Sequence, residues 1–477
     1  MWRGLIRDSV LYGIIGGLSR LATVLVVPFY SRLLNSREFG LIDLLSTATV
    51  LLLMVGGLQS ESAIARDYHE SVRSNSEGRL LASGILSSIF GLTVVALMLL
   101  LVGKFGSLFA VEADFEVVLP VALMLLPYQL LLIGQLVARF RGDKGIFALL
   151  AIGDLVMTMA LTWSLVAIYD FGVPGALWAQ AISKLVWGGG ATLYLFGGGR
   201  LREKKLFDYF TIVRSLKYSL PLVPAVGARW LQRYIGQWAV VAFWGLSAAG
   251  ELAVAMKTGM LVLLVEMAFR LAWTPIAMQS LDRAEEREKY ASALQGYLLG
   301  LLPLALTICC FSWVGVKILA PESYREAARA VPLFALSFFW DGTLAIVGIG
   351  LNAVRKTYWG MLSYGVAAVC NGALLIYLVP FWGVFGVGVA ALCSSLLAAA
   401  LLLFISQKLY PIPYRYKAVF LSLGATFGAL AILLLIPEPG SSWWSVFLNA
   451  GQRLVFVSIL SFGLIAVLRR NILLENP

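Results

Sequence analysis

Charge is what this chain has least of. Only 13% of its 477 residues are Asp, Glu, Lys or Arg, while 60% are hydrophobic and the mean hydropathy is +0.86. A soluble domain carries about 25% charged residues, so a bilayer rather than water is the solvent that fits. Histidine is almost missing: His69 is the only one, which excludes a histidine-based metal site and a Ser-His-Asp triad. Cysteine is sparse. Cys309, Cys310, Cys370 and Cys393 all lie inside apolar runs without metal-ligand or redox spacing, and read as small buried hydrophobes. No metal, no cofactor and no enzymatic chemistry is expected. A long polar stretch is also lacking, which leaves no room for a separate soluble domain.

What the chain does have is apolar runs of spanning length, about 20 residues each. Fourteen can be placed, at 9–29, 40–60, 80–102, 117–137, 146–168, 172–195, 219–242, 251–275, 292–312, 330–351, 359–379, 383–405, 417–436 and 446–468. The start, Met1–Arg7, is basic and could imitate a signal peptide. Arg20 interrupts the run that follows, and Pro28–Asn35 does not resemble a small-residue cleavage site, so span 1 is read as retained.

Net charge is +11, but the cations are scattered through short connectors and form no basic face for nucleic acid, which is excluded as a partner. With the N-terminus cytoplasmic, 24 Lys and Arg fall in inside connectors and 7 in outside ones. Both termini are therefore expected to face the cytoplasm of a bacterial inner membrane.

The segment Gly197–Tyr218 interleaves Arg200, Arg202, Lys204, Lys205, Arg214 and Lys217 with apolar and aromatic residues. It reads as an amphipathic helix on the anionic inner leaflet, or as a disordered basic linker. Either way it divides the chain into an N-lobe (1–196, spans 1–6), the linker (197–218), a C-lobe (219–410, spans 7–12) and appended spans 13 and 14 (411–477). A shift of 210 residues brings Arg7, Ser9 and Gly40 onto Lys217, Ser219 and Gly250, a faint repeat that suits two equivalent bundles. On this register Ser247–Gly250 is the turn after span 7, and Gly250 opens span 8.

Charges inside spans are costly and mark function or pairing. Asp154 in span 5 and Lys184 in span 6 can pair, and Glu266 and Arg270 stand four apart in span 8. Lys257 can snorkel from the outer end of span 8, and Asp43 can reach water. Asp341 in span 10 either binds a coupling H+ or Na+ or pairs with an arginine. Arg20 in span 1 and Arg229 and Arg233 in span 7 are harder to neutralise, because the latter two share a helical face and sign and arginine keeps its proton. The deep set of Arg20, Lys184, Arg229, Arg233, Lys257 and Arg270 against Asp154, Glu266 and Asp341 is net positive. It predicts a wet cavity for an anion, with a diphosphate as the natural partner of paired guanidiniums. The candidate substrate-binding residues are thus Arg20, Arg229, Arg233, Lys257 and Lys184.

The stretch Val27-Pro28-Phe29-Tyr30-Ser31-Arg32-Leu33-Leu34-Asn35-Ser36-Arg37-Glu38-Phe39-Gly40-Leu41 resembles the first-hairpin signature of bacterial polysaccharide flippases. Gly57-Leu58 with Ala63–Tyr68, Ser219-Leu220-Pro221-Leu222, Gly250 and Trp273-Thr274-Pro275 continue the likeness. The family belongs to the multidrug/oligosaccharidyl-lipid/polysaccharide (MOP) superfamily. The resemblance implies an all-α membrane protein of about 14 helices, with two six-helix lobes around a central cavity, a C-terminal hairpin and alternating access. It also implies an undecaprenyl-diphosphate-linked oligosaccharide as cargo, cavity arginines (Arg20 and Arg233) on its head group, and other polysaccharide-assembly proteins as partners. This chain departs from many relatives in having arginines where they have an acidic residue in span 7, which does not favour ion coupling there.

Other readings are a flippase for the peptidoglycan lipid precursor and a multidrug extruder, whose cationic cargo asks for an acidic cavity. From different classes come a membrane-embedded oligosaccharide polymerase or ligase and an assembly scaffold. The first needs a large outer loop, and the second has no use for mid-span arginines.

Overall fold

The computed structural model describes residues 24–105, 115–197, 208–279, 287–354, 356 and 358–475. Among them every regular element is helical. The elements are α1 (Val24–Leu33), α2 (Ser36–Gly56), α3 (Ser60–Arg73), α4 (Glu77–Phe105), α5 (Phe115–Arg141), α6 (Lys144–Thr162, continued by a π-helical Trp163–Ile168), α7 (Gly172–Phe196), α8 (Tyr209–Ser219), α9 (Leu222–Gly259), α10 (Val262–Gln279), α11 (Arg287–Cys310), α12 (Ser312–Leu319), α13 (Ala327–Val347), α14 (Ile349–Ala353), α15 (Tyr358–Leu409), α16 (Tyr416–Leu435) and α17 (Trp443–Glu475).

Each expected span that lies within the described residues is helical, span 1 being described only from Val24 on. Two long helices carry two spans apiece. In α9 the chain turns at Gly245 (φ 78°) and in α15 at Gly383 (φ 50°), a left-handed geometry that costs other residues about 1–2 kcal/mol. The turn after span 7 therefore lies at Gly245 and not at Ser247–Gly250. Ala248, Ala249 and Glu251 are good helix formers, and they continue the second arm. That arm breaks again after Gly259, so span 8 consists of two helical pieces joined at Met260 and Leu261.

The chain forms two compact units, Leu33–Leu231 and Gln232–Pro477, the latter including Met1–Arg32. The first unit holds α2 to α8 and the opening of α9. Its α2 starts with a capping box in which Asn35 accepts from the Glu38 amide at 2.9 Å and Glu38 accepts from the Asn35 amide at 3.0 Å, satisfying two otherwise orphaned donors. Helices α5 and α7 touch so closely that a Cβ on Gly188 would lie 2.3 Å from the Pro127 carbonyl oxygen. Only glycine fits there.

Sequence reasoning did not foresee α3. After α2, Leu58 and Gln59 adopt positive φ (51° and 53°) and divert the chain into this short polar helix. Helix α8, the described part of the basic linker, packs on it: Arg214 lies 3.6 Å from Asp67 and 3.4 Å from Glu70, and Arg66 stacks 4.3 Å over the Tyr218 ring. Phe210 is 82% exposed on α8, as a residue dipping into lipid would be. Arg200, Arg202, Lys204 and Lys205 lie outside the described residues. Nearby, Tyr68 donates to Glu77 at 2.9 Å and Arg141 bonds the same carboxylate at 2.8 Å. Burial and the Glu77 carboxylate push the Tyr68 hydroxyl well up, so it stays a donor.

The second unit has its core on α11, α13, α15 and α16, around Tyr290, Tyr297, Leu302, Phe339 and Leu402. The end of α1 is tied to α12: Ser31 donates to the Leu319 carbonyl at 3.1 Å and Arg32 to the Ile318 carbonyl at 2.9 Å. Cations at a helix C-terminus are favoured by its dipole.

Candidate functional site

The two glycine turns of the second unit are locked to each other. Trp244, just before the first turn, donates to the Val379 carbonyl at 2.7 Å, and its ring lies 3.5 Å from where a Cβ of Gly383 would be. Positions counted from the two turns therefore share a depth. Arg233 and Lys257 stand twelve residues on either side of Gly245, and Asn371 and Ser394 twelve and eleven on either side of Gly383. At 1.5 Å per residue this is roughly 17–18 Å along the helices, near the middle of a hydrocarbon core about 30 Å thick. A polar layer results, built from four arms.

Hydrogen bonds hold the layer together. Gln232 donates to Ser394 at 3.1 Å, Asn371 donates to the Gln232 carbonyl at 2.7 Å, and Ser394 donates to the Ala367 carbonyl at 3.1 Å. Gly236 meets Val387, one turn beyond Gln232. Arg233 is thus fixed from both sides on its helix. Its guanidinium lies 4.7 Å over the Phe338 ring of α13, and its Nε has no hydrogen-bond acceptor among the described residues. A cation over an aromatic face gains about 0.5–2 kcal/mol, less than a carboxylate or phosphate would supply in the same place. Asp341 lies one turn further along the same helix as Phe338.

The remaining expected residues fall into two groups. Glu266 is 4% exposed and meets Arg270 at 3.4 Å one turn away, the pairing that their spacing predicts. Tyr297, donating to the Phe339 carbonyl at 2.7 Å, lies within electrostatic reach of Glu266, Arg270 and Asp341. In the first unit Lys184 meets Asp154 at 2.5 Å and sits 4.8 Å over the Tyr128 ring, while Ser183 donates to the other Asp154 oxygen at 2.9 Å. Lys184, counted above among substrate ligands, is held by its own carboxylate partner. Lys257 is half-buried and lies deeper than an outer-end snorkelling residue, because the turn precedes it by twelve positions. Arg229 is exposed on α9, one turn before Arg233. Arg20 lies outside the described residues.

Gln232, Asn371 and Ser394 were not singled out from the sequence. Their signal was present, since each is an uncharged polar side chain at mid-span, but only the shared depth of the two glycine turns brings them together.

Residues 5–281 match the family described as polysaccharide biosynthesis protein, more than half of the chain. The chain belongs to this family. No curated protein matches it by sequence. Among solved structures it is similar to the lipid II flippase MurJ in an inward closed conformation, with TM-score 0.69 and 14% identity over 97% of this chain and 100% of that one. It is similar also to an inward-facing multidrug resistance MATE family transporter of the MOP superfamily, with TM-score 0.65 and 13% identity, covering 82% and 94%. A third likeness is to the Vibrio cholerae MATE transporter VcmN in its bent form, with TM-score 0.56 and 16% identity, covering 85% and 97%. At such identities these likenesses establish the fold. This family member is an all-α, multi-pass membrane protein among the described residues, with the fold that these flippase and transporter structures share.

Proposed function

We propose that the protein moves an undecaprenyl-diphosphate-linked oligosaccharide from the cytoplasmic to the outer leaflet of the bacterial inner membrane, by alternating access, with both termini cytoplasmic. One observation carries the reading: Arg233 stands at mid-membrane over an aromatic ring, with its Nε unbonded among the described residues. A guanidinium there binds phosphate oxygens in pairs and cannot be discharged by losing a proton. Lys257, at the same depth, adds a second cation, and Arg229 and Arg20 are assigned to the same head group. The 24-to-7 bias of connector cations supports the orientation. Lys184, neutralised by Asp154, serves in this reading as a structural residue, as do Glu266 and Arg270. A cationic cargo of the multidrug kind is disfavoured by the same arginines.

A second reading, a flippase for the peptidoglycan lipid precursor, is favoured by the likeness to the lipid II flippase MurJ, which runs over the whole of both chains. The two cargoes share the lipid diphosphate and differ in the sugar. Complementation separates them. Expression in one strain lacking a polysaccharide-unit flippase and in another lacking the peptidoglycan-precursor flippase is expected to rescue the first. Rescue of the second alone would replace the cargo. In either strain Arg233→Ala, Arg229→Ala and Arg20→Ala are expected to lose export at normal protein level. Full activity in all three would remove the head-group assignment.

A further inference from the structure

A second buried guanidinium has no role in the transport reading. Arg453 on α17 is 3% exposed. It stands ten residues past Trp443, the first residue of α17, about 15 Å along the helix. Its Nε has no acceptor among the described residues. Among the described residues it makes no ion pair; the Trp313 ring lies 5.9 Å away, and Glu438 and Cys310 are within electrostatic reach.

This side chain lines a cavity of about 480 Å³ together with Trp313, Arg329, Trp382, Phe385 and Leu434. Arg329 is already compensated, bonding Glu438 and lying 3.1 Å from Glu326. Glu438 lines the cavity too, so the lining holds two cations, Arg329 and Arg453, against one carboxylate, a net of one positive charge. The walls contributed by α16 are aliphatic, and the lipid-side lip is formed by Trp382 and Leu434, 53% and 60% exposed. All of these residues belong to the second unit. The cavity is made where spans 13 and 14 lie against the starts of spans 10 and 12.

An arginine cannot shed its proton, and burying it unpaired in low dielectric is strongly unfavourable. A cavity that leads from lipid to such a residue, with aliphatic and indole walls on the way, has the polarity of a lipid turned inward. We propose that it binds an anionic phospholipid, with the phosphodiester on Arg453 and the acyl chains leaving past Trp382 and Leu434. A soluble anion would gain the same charge contact but nothing from the apolar wall. On this account the last two spans complete a lipid site.

The test uses the full-length protein in neutral detergent and reads binding, not transport, so its failure leaves the cargo assignment untouched. Phosphatidylglycerol is expected to raise the melting temperature by about 3 °C or more and to remain bound in native mass spectrometry. Phosphatidylcholine and glycerol 3-phosphate are expected to do neither. Arg453→Met is expected to melt at or above the wild type without lipid, and to bind phosphatidylglycerol at least about tenfold more weakly. Leu434→Trp, which plugs the exposed lip while keeping the charge, is expected to lose the shift as well. It decides the matter should the arginine variant fail to fold. An undiminished shift in either folded variant, or an equal one with phosphatidylcholine, would overturn the proposal. So would a full effect from glycerol 3-phosphate alone, which would indicate a site for free anions.

Discussion

Each unit has a closed ion pair, Lys184–Asp154 and Glu266–Arg270, and the second adds two guanidiniums that no carboxylate bonds among the described residues. In the first, Lys184 and Asp154 neutralise each other and Ser183 completes the carboxylate, so the pair is closed to any third partner. In the second, Arg233 leans on a phenyl ring and Arg453 on an indole, each with an unbonded Nε among the described residues. The same composition thus yields a cross-brace in one unit and cations set against aromatic rings in the other. What separates them is whether a carboxylate bonds the cation directly, as Asp154 does Lys184.

Breaking the closed pair is expected to have the largest effect. Asp154→Ala or Lys184→Ala alone leaves a buried charge uncompensated and should cost about 3–5 kcal/mol, seen as loss of folded protein in size-exclusion and thermal melts. The double variant Asp154→Leu with Lys184→Met should recover most of that stability. Should the double variant be as poor as the worse single one, the pair is not self-contained and the comparison fails.

Removing a cation that no carboxylate bonds should do the reverse, sparing the fold and harming function. Arg233→Met is expected to lower export about 10- to 100-fold, or about 1.4–2.7 kcal/mol, with little change in melting temperature. Arg233→Lys should restore only part, because an ammonium does not reproduce the planar fork. Smaller effects should follow from loosening the frame. Gly383→Ala places a side chain at φ 50° and should cost about 1–2 kcal/mol. Asn371→Leu removes the donor to Gln232 and should cost about 1 kcal/mol, while lowering export by displacing Arg233. Equal loss of stability and export in that variant would mean that the polar layer is structural only.

Much of the architecture was legible because spanning length and hydropathy are strong signals that survive ignorance of packing. The Glu266–Arg270 pair was legible too, as a spacing on one helix. Connections between helices were not. A left-handed turn needs one glycine, and among 46 glycines the sequence does not mark Gly245 above Gly250. Helix α3 escaped notice because it is short and polar, and its existence depends on two non-glycine residues holding positive φ. Arg453 was counted with the seven outer connector cations although span 14, placed at 446–468, already contains it. The helix in fact begins at Trp443 and carries the arginine inward. Lys184 was placed with the substrate ligands although its pairing with Asp154 was foreseen, because adjacency in sequence order does not establish depth.

The two one-glycine corners have a practical corollary. At Gly245 and Gly383 scarcely any chain projects beyond the helix ends, and the corners grip each other through an indole. Epitope tags, protease sites or fluorophores inserted there would pry apart the neighbouring helices. The loop between α16 and α17 is no freer, since Arg329 bonds Glu438, Arg325 the Pro439 carbonyl and Lys317 the Ser441 carbonyl, so a reporter there would pull on the second unit as well.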